Sequence, residues 1–368
     1  MDAPTRSLYV LPMRAFYHPD QALHDPLQYM RFGRLVPPKD LPARTAELLR
    51  ALASRGIKPE TPAAHGIAPA LGVHAPHYLQ FLATVWERWT QLPERGPEAW
   101  PNTFPYWSGR PEEPARPPCP AEGLIGQIGW YLGDLSVPMG PHSWTSTLRS
   151  CETAVSAADA LAEGEALAYA LCRPSGHHAR ADRASGFCYV NNTAVAAQRL
   201  RARYDRVAIL DIDAHHGDGT QQIFYNRPDV LTVSIHADPL NYYPFYTGYA
   251  GETGCGVGEG FNLNLPLAHG AGGDAMIAAI ETAAEKIGAF APQALVLALG
   301  FDAHRLDPIG VLKLEAEDFG RCGEKVRAFG LPTLIVQEGG YAMAAIGACL
   351  AAFLEGLDPS VASRPPMP

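Results

Sequence analysis

Short runs of consecutive apolar residues alternate along this chain with longer stretches in which apolar residues return every three or four positions. The runs at 8–11, 165–171, 207–210, 231–235, 295–299 and 333–336 predict strands. Short runs such as 207–210 are continuously apolar, as strands buried on both faces should be. The stretches at 44–54, 77–89, 144–161, 192–203, 219–225, 274–287, 316–329 and 344–354 predict helices. This alternation predicts an α/β fold with a mostly parallel sheet covered by helices on both faces.

Polar clusters interrupt the pattern just after the strands. Cys172-Arg-Pro-Ser-Gly-His177-His178 follows one, and Asp211-Ile-Asp213-Ala-His215-His216-Gly-Asp218 follows the next. Gly300-Phe-Asp302-Ala-His304 and Gln337-Glu338-Gly339-Gly340-Tyr341 follow two more. Ligands of open α/β sheets bind outside the carboxyl ends of the strands, so four clusters in that position point to one site.

The chain of 368 residues allows either two domains or one large α/β domain, and its 47% apolar content is ample for a core. We read it as a single domain over 1–368. A net charge of −9 argues against nucleic acid as a partner and is compatible with a cationic small molecule. Seven cysteines, with no CxxC pair, read as reduced and buried in a cytoplasmic protein. No run is long enough to span a membrane; the longest, about 341–354, reads as a buried helix. The start of the chain lacks the pattern of a signal peptide and reads as a first strand near 7–13.

One stretch departs from the alternation. Residues 91–120 hold nine prolines, with Trp100, Phe104, Tyr106 and Trp107 among them. Long irregular segments inside compact domains are usually functional or disordered, and the aromatics favour an ordered loop. It is expected to pack over the site or against a second subunit.

Carboxylates and imidazoles directly after a buried strand are costly to desolvate, and a divalent cation is the usual compensation. Asp211, Asp213 and His215 would share one face if the strand ran on. Three ligands with one open position make a catalytic zinc site, and the candidates are Asp213, His215 and Asp302. Asp302 alone would equally suit a strand-end cap. His177 and His178 sit in a turn braced by Pro174 and Gly176, and histidine is the usual general base near neutral pH. Each ring needs a partner to set its tautomer, and Asp211 and Asp218 are free for that task if Asp213 binds metal. Tyr341, after two glycines, could donate a hydrogen bond to an oxyanion or simply pack at a helix start. Gly186, Phe187 and Tyr243 could line an apolar channel or belong to the core.

Together these motifs resemble the zinc-dependent deacetylases of the arginase/deacetylase fold, the superfamily of the histone deacetylases. The resemblance is carried by Arg173-Pro-Ser-Gly-His-His178, Gly186-Phe-Cys-Tyr-Val-Asn-Asn192, Asp211-Ile-Asp-Ala-His-His-Gly-Asp-Gly-Thr220, Thr232-Val-Ser-Ile-His236, Gly300-Phe-Asp-Ala303 and Glu338-Gly-Gly-Tyr341, in the family's order. It implies a three-layer fold with about eight strands and one zinc per subunit on Asp213, His215 and Asp302. It implies His178 as general base and acid, with His177 assisting electrostatically. Asp211 and Asp218 would orient His177 and His178 respectively, and Tyr341 would polarise the scissile carbonyl. A structural potassium ion near Asp211, Asp213, His215, Ser234 and Ile235 is also implied.

The N-terminal third narrows the resemblance. Leu35-Val-Pro-Pro38 with Pro42 and Arg44, His77-Tyr-Leu-Gln-Phe-Leu82, Pro101-Asn-Thr-Phe-Pro105 and Gly126-Gln-Ile-Gly-Trp-Tyr131 look like bacterial acetylpolyamine amidohydrolases. That similarity implies an acetylated polyamine as substrate and a homodimer through an insertion at about 91–142 that narrows the tunnel. Glu98, Glu112, Glu113 and Glu122 could attract the distal ammonium or form a solvated loop. Ile309 falls where some polyamine-selective relatives carry a glutamate gate, so that device is absent. Rival readings are a protein acetyl-lysine deacetylase, a two-manganese ureohydrolase and a catalytically inert acetyl-group binder.

Overall fold

The computed structural model describes residues 13–105 and 115–360. Every residue of β5 (Val207–Asp211), β6 (Val230–Ala237), β8 (Ala294–Leu299) and β9 (Thr333–Gln337) is buried, as suits strands covered on both faces. They form the centre of a seven-stranded sheet ordered β1-β4-β9-β8-β5-β6-β7, with β1 at Arg14–Phe16, β4 at Leu167–Ala170 and β7 at Asn262–Leu267. All neighbouring pairs run parallel.

The two-residue period of a strand sends alternate side chains to opposite apolar layers. Ala208, Leu210, Leu297 and Ile335 join one layer, with α1 (Pro42–Ser54), α7 (Gly273–Phe290), α8 (Ala316–Ala328) and α9 (Ile346–Leu357). Val207, Ile209, Val296 and Leu334 join the other. That second layer is closed by α2 (Pro76–Thr90), α3 (Leu124–Tyr131), α4 (Ser143–Ala162), α5 (Asn192–Leu200) and α6 (Asp218–Phe224). The expected three layers are therefore present, with seven strands in the main sheet rather than about eight. A separate antiparallel hairpin, β2 (Tyr29–Arg31) and β3 (Arg34–Val36), stands apart from it.

Five of the expected strands form. The sixth, at 8–11, lies outside the described residues, as does most of the first strand expected near 7–13. β1 was not foreseen, because three residues carry too little pattern. β7 was also missed: Asn262-Leu-Asn-Leu-Pro-Leu267 alternates polar and apolar and contains a proline, which suits the sheet edge it occupies. The prolific-proline stretch is ordered where it is described: Ala99 pairs with Met139, and the Trp89 indole donates to the Gly96 carbonyl at 3.1 Å. Tyr106 and Trp107 lie outside the described residues. All seven cysteines are free thiols, and two of them, Cys119 and Cys255, are only partly buried rather than fully so. Among the described residues no helix is long and apolar enough to cross a membrane.

After β5 the chain moves outward through β6 to β7, and after β8 it moves the opposite way to β9. β5 and β8 are adjacent, so the strand order reverses between them. A crevice opens at such a point beyond the strands' carboxyl ends.

Candidate active site

The polar clusters meet at that crevice. Asp213 and His215 follow β5, Asp302 follows β8, and one potential ligand atom from each lies within 4.8 Å of the other two. All three side chains are buried. The His215 Nδ1 is 2.7 Å from Asp302 Oδ2, and the His215 ring stacks on Tyr242 at 4.5 Å. Backbone donors fix the carboxylates: Ala214 N–H to Asp302 Oδ1 at 2.8 Å, His215 N–H to Asp213 Oδ1 at 2.9 Å and Gly339 N–H to Asp213 Oδ2 at 2.8 Å. Asp211 does not continue the ligand face, because β5 ends there.

The donor set fits a divalent cation. Burial and the neighbouring Asp213 charge push the Asp302 carboxyl up to about 7, while His177 and His215 outweigh burial at Asp213 and hold it well below the usual carboxylate range. Two dry carboxylates this close cannot both carry charge comfortably without a cation between them. Oxygen and imidazole nitrogen donors are those zinc takes. Two glycines leave the room. A Cβ at Gly300 would sit 2.0 Å from Asp213 Oδ2, and one at Gly339 would sit 2.7 Å from the same atom and 2.8 Å from Asp302 Oδ2.

The tandem histidines stand beside this group, ring centroids 4.0 Å apart. His177 Nδ1–H donates to Asp211 Oδ2 at 2.9 Å, and His178 Nδ1–H donates to Asp218 Oδ1 at 2.7 Å. The His177 Nε2 is 3.8 Å from Asp213 Oδ1. Burial lowers the pKa of His177, but Asp211, Asp213 and Glu338 outweigh it and raise it well above the ordinary value. At His178, burial and then the His177 charge bring it down to about 4. Asp218 raises it but is outweighed, and the same carboxylate also accepts from Arg180 at 2.8 and 3.0 Å.

Tyr341 lines the same cavity. Its ring lies under the Arg44 guanidinium at 4.7 Å and edge-on to Phe187 at 5.8 Å, and its N–H donates to Asp307 at 2.7 Å. Burial raises the phenol well above 10, so the hydroxyl keeps its proton. The cavity, of about 730 Å³, is also walled by Gly186, Phe187, Tyr243 and Ile309. Gly186 and Phe187 both have positive φ, +55° and +67°. Ser185 and Cys188 exchange backbone hydrogen bonds across this two-residue turn, which demands left-handed backbone at both centres. A Cβ at Gly186 would be 2.3 Å from His178 Cδ2, so glycine here lets the turn rest on the His178 ring.

Several site residues had little signal in the sequence. Asp134 accepts from Gly186 N–H at 3.0 Å and from the Tyr243 hydroxyl at 2.7 Å; nothing but its turn context marked it. Glu338 accepts from Gly176 N–H, His177 N–H and the Thr193 hydroxyl, bracing the tandem-histidine turn. Arg44 donates to the carbonyls of Glu338 and Gly340 and to Asp40, which also takes Arg173. Both residues stood in quoted motifs without an assigned role. Of the acidic residues considered as ammonium attractors, Glu98 is buried and accepts from Leu27 N–H, and Glu122 does not border the cavity. Glu112 and Glu113 lie outside the described residues. Ser234 pairs in register with Asp211, but its hydroxyl is 2.8 Å from His236 Nδ1. Ile235 is buried on β6.

A parallel sheet that collects a dry Asp-His-Asp group, two Asp-backed histidines and a buried tyrosine at its switch point is the architecture of a hydrolytic deacetylase. The chain belongs to the histone deacetylase domain family, whose pattern matches residues 39–357. It is 46% identical over 345 residues to an acetylpolyamine amidohydrolase of Burkholderia pseudomallei, covering 94% of this chain and 98% of the relative. It is 39% identical over 347 residues to the acetylpolyamine amidohydrolase of Mycoplana ramosa, covering 94% and 99%. A crystal structure of an acetylpolyamine aminohydrolase from Burkholderia pseudomallei superposes with a TM-score of 0.89 at 46% identity, over 94% of this chain and 98% of that one. The HD domain of HDA15 superposes at 0.76 with 26% identity, over 94% and 89%.

Proposed function

We propose that this enzyme hydrolyses the amide of acetylated polyamines, with zinc held by Asp213, His215 and Asp302. The observation that carries the reading is the convergence of that buried ligand group with His177 and His178 in one aromatic-walled cavity. The names of the two relatives above supply the substrate class. Zinc bound there supplies Lewis acidity toward the carbonyl and acidity to a water.

The chain's own groups complete the reaction. His178 gives its Nδ1–H to Asp218, which leaves Nε2 bare and able to accept the proton of the attacking water. The water oxygen adds to the carbonyl carbon. Tyr341 donates its hydroxyl proton to a hydrogen bond with the carbonyl oxygen as negative charge develops there. His177, charged against Asp211, stabilises that charge from the side. The C–N bond then breaks, and the imidazolium of His178 returns its proton to the leaving nitrogen. Acetate and free amine result. Gly339 N–H ties the Tyr341 turn to Asp213, so donor and ligand move together.

The same reading includes a potassium ion on Asp211, Asp213, His215, Ser234 and Ile235. It also includes a single domain over 1–368 and a homodimer through the insertion at about 91–142 in the cytoplasm. Acetate release from acetylputrescine, acetylspermidine and an acetyl-lysine peptide, by zinc-loaded and rigorously demetallated protein, tests the central claim. Hydrolysis of the acetylpolyamines, abolished without zinc, is the expected result. Undiminished hydrolysis without metal, or hydrolysis of the peptide alone, would overturn it.

A further inference from the structure

Among the described residues, Arg183 is the arginine of the cavity wall whose guanidinium no group hydrogen-bonds. Arg180 is engaged by Asp218, and Arg31 donates to the Pro308 carbonyl at 3.2 Å. The Arg183 guanidinium makes no hydrogen bond and no ion pair among the described residues, yet it borders the cavity. Its stem is packed: a Cβ at Gly133 would meet Arg183 Cδ at 2.7 Å and Cγ at 2.8 Å. Burial, then the charges of Arg180 and Arg116, outweigh the attraction of Asp182 and Asp218 and bring its pKa down to about 10, so it remains charged at neutral pH.

A guanidinium that is mostly dry and unpaired is a standing cost, recovered when an anion docks on its planar donor fork. Its location says which part of a substrate carries that anion. The metal ligands are fully buried at the floor. Arg183 is partly exposed and packs on Gly133, in the segment whose Leu135 carbonyl accepts from Met30 N–H of the β2–β3 hairpin. The hairpin tip, Phe32, is 88% exposed. Arg183 therefore stands toward the opening, where the amine-side remainder of a substrate lies, and away from the acyl end.

We infer that Arg183 is the anchor for a carboxylate on the amine side of the substrate, which adds N-acetylated diamino acids, such as free Nε-acetyl-lysine, to the amines this enzyme deacetylates. This rests on the deacetylase reading above. N-Acetylcadaverine is Nε-acetyl-lysine without its carboxylate, and Nε-acetyl-lysine amide carries a neutral group of the same shape. Comparing kcat/KM of zinc-loaded protein for the three therefore isolates the carboxylate. Wild type should prefer Nε-acetyl-lysine to its amide. In Arg183→Gln the ratio of Nε-acetyl-lysine to N-acetylcadaverine should fall about 10- to 100-fold, the span of a charge-assisted hydrogen bond. The loss should appear in KM more than in kcat, and Arg183→Lys should recover part of it. N-Acetylcadaverine should itself improve in Arg183→Gln, because a fixed positive charge leaves the path of its ammonium. No wild-type preference for carboxylate over amide, or equal losses on all three substrates in Arg183→Gln, would overturn the inference. Failure of wild type to hydrolyse any of the three would instead sink the deacetylase reading itself.

Discussion

Gly300→Ala should disarm the metal site with a single methyl group. The added Cβ would lie 2.0 Å from Asp213 Oδ2 and 2.5 Å from its Cγ, whereas ordinary contact begins at 3.4 Å. Gly300 follows β8 and Gly339 closes the far side, so Asp213 has no slack away from the cation. The carboxylate must retreat by roughly 1.4 Å, while metal–ligand distances tolerate only about 0.2 Å. Loss of a hydrogen-bonding partner of a ligand already costs about 10–100-fold in metal affinity, so displacement of the ligand itself should cost at least about 100-fold. Overpacking adds about 1–3 kcal/mol of destabilisation. Zinc affinity is read by competition with a chromogenic chelator, and folding by circular dichroism and thermal melting at the same concentration. The variant should remain folded with a lower melting point and lose zinc and acetate release together. A folded variant that retains wild-type zinc affinity and turnover would show that Asp213 is not a ligand.

Tyr341→Phe should lower turnover about 100- to 1000-fold while zinc content stays at the wild-type value, because the removed group acts on the developing oxyanion; full turnover would strike Tyr341 from the mechanism. Asp40 is buried between Arg44 and Arg173, whose charges outweigh burial and hold its carboxyl at about 2, against 3.8 when free. Its folded value is depressed, so its stabilisation is whole above pH about 4 and drains as pH falls toward about 2. Asp40→Asn should cost about 3–5 kcal/mol at neutral pH by stranding two guanidiniums, and its urea midpoint should converge on that of wild type only through that acidic window; a gap constant down to pH about 2 would refute the assignment. Gly288 is an exposed helical position in α7 with nothing within 4 Å of an added Cβ, so Gly288→Ala should raise stability by about 0.5–1 kcal/mol in chemical denaturation.

The central strands and the chemistry at their ends were readable because both leave dense local patterns. Val207-Ala-Ile-Leu210 and Leu295-Val-Leu-Ala-Leu299 are apolar without interruption, and each is followed within a few residues by a ligand-type side chain. Asp213, His215 and Asp302 come together as expected, and His177 and His178 meet the two aspartates assigned to them. What escaped notice were residues whose importance arises only from distance in sequence. Asp134 gains meaning through Tyr243, Arg44 through the Glu338 and Gly340 carbonyls, and Arg183 through a guanidinium that no group among the described residues hydrogen-bonds. None of those relations has a spacing that a linear pattern can register. Edge elements were lost for the opposite reason: β1 is too short, and β7 is half polar.

The β2–β3 hairpin and the segment bearing Tyr243 and Phe245 stand outside the main sheet, yet both border the mouth of the cavity. Bond cleavage is thus inherited with the scaffold, whereas guest selection is delegated to ribbons that lie outside the main sheet. Surface segments of this kind accept exchange and lengthening cheaply. New acylamine clients can therefore be acquired by editing the rim, with the hydrolytic engine carried over intact.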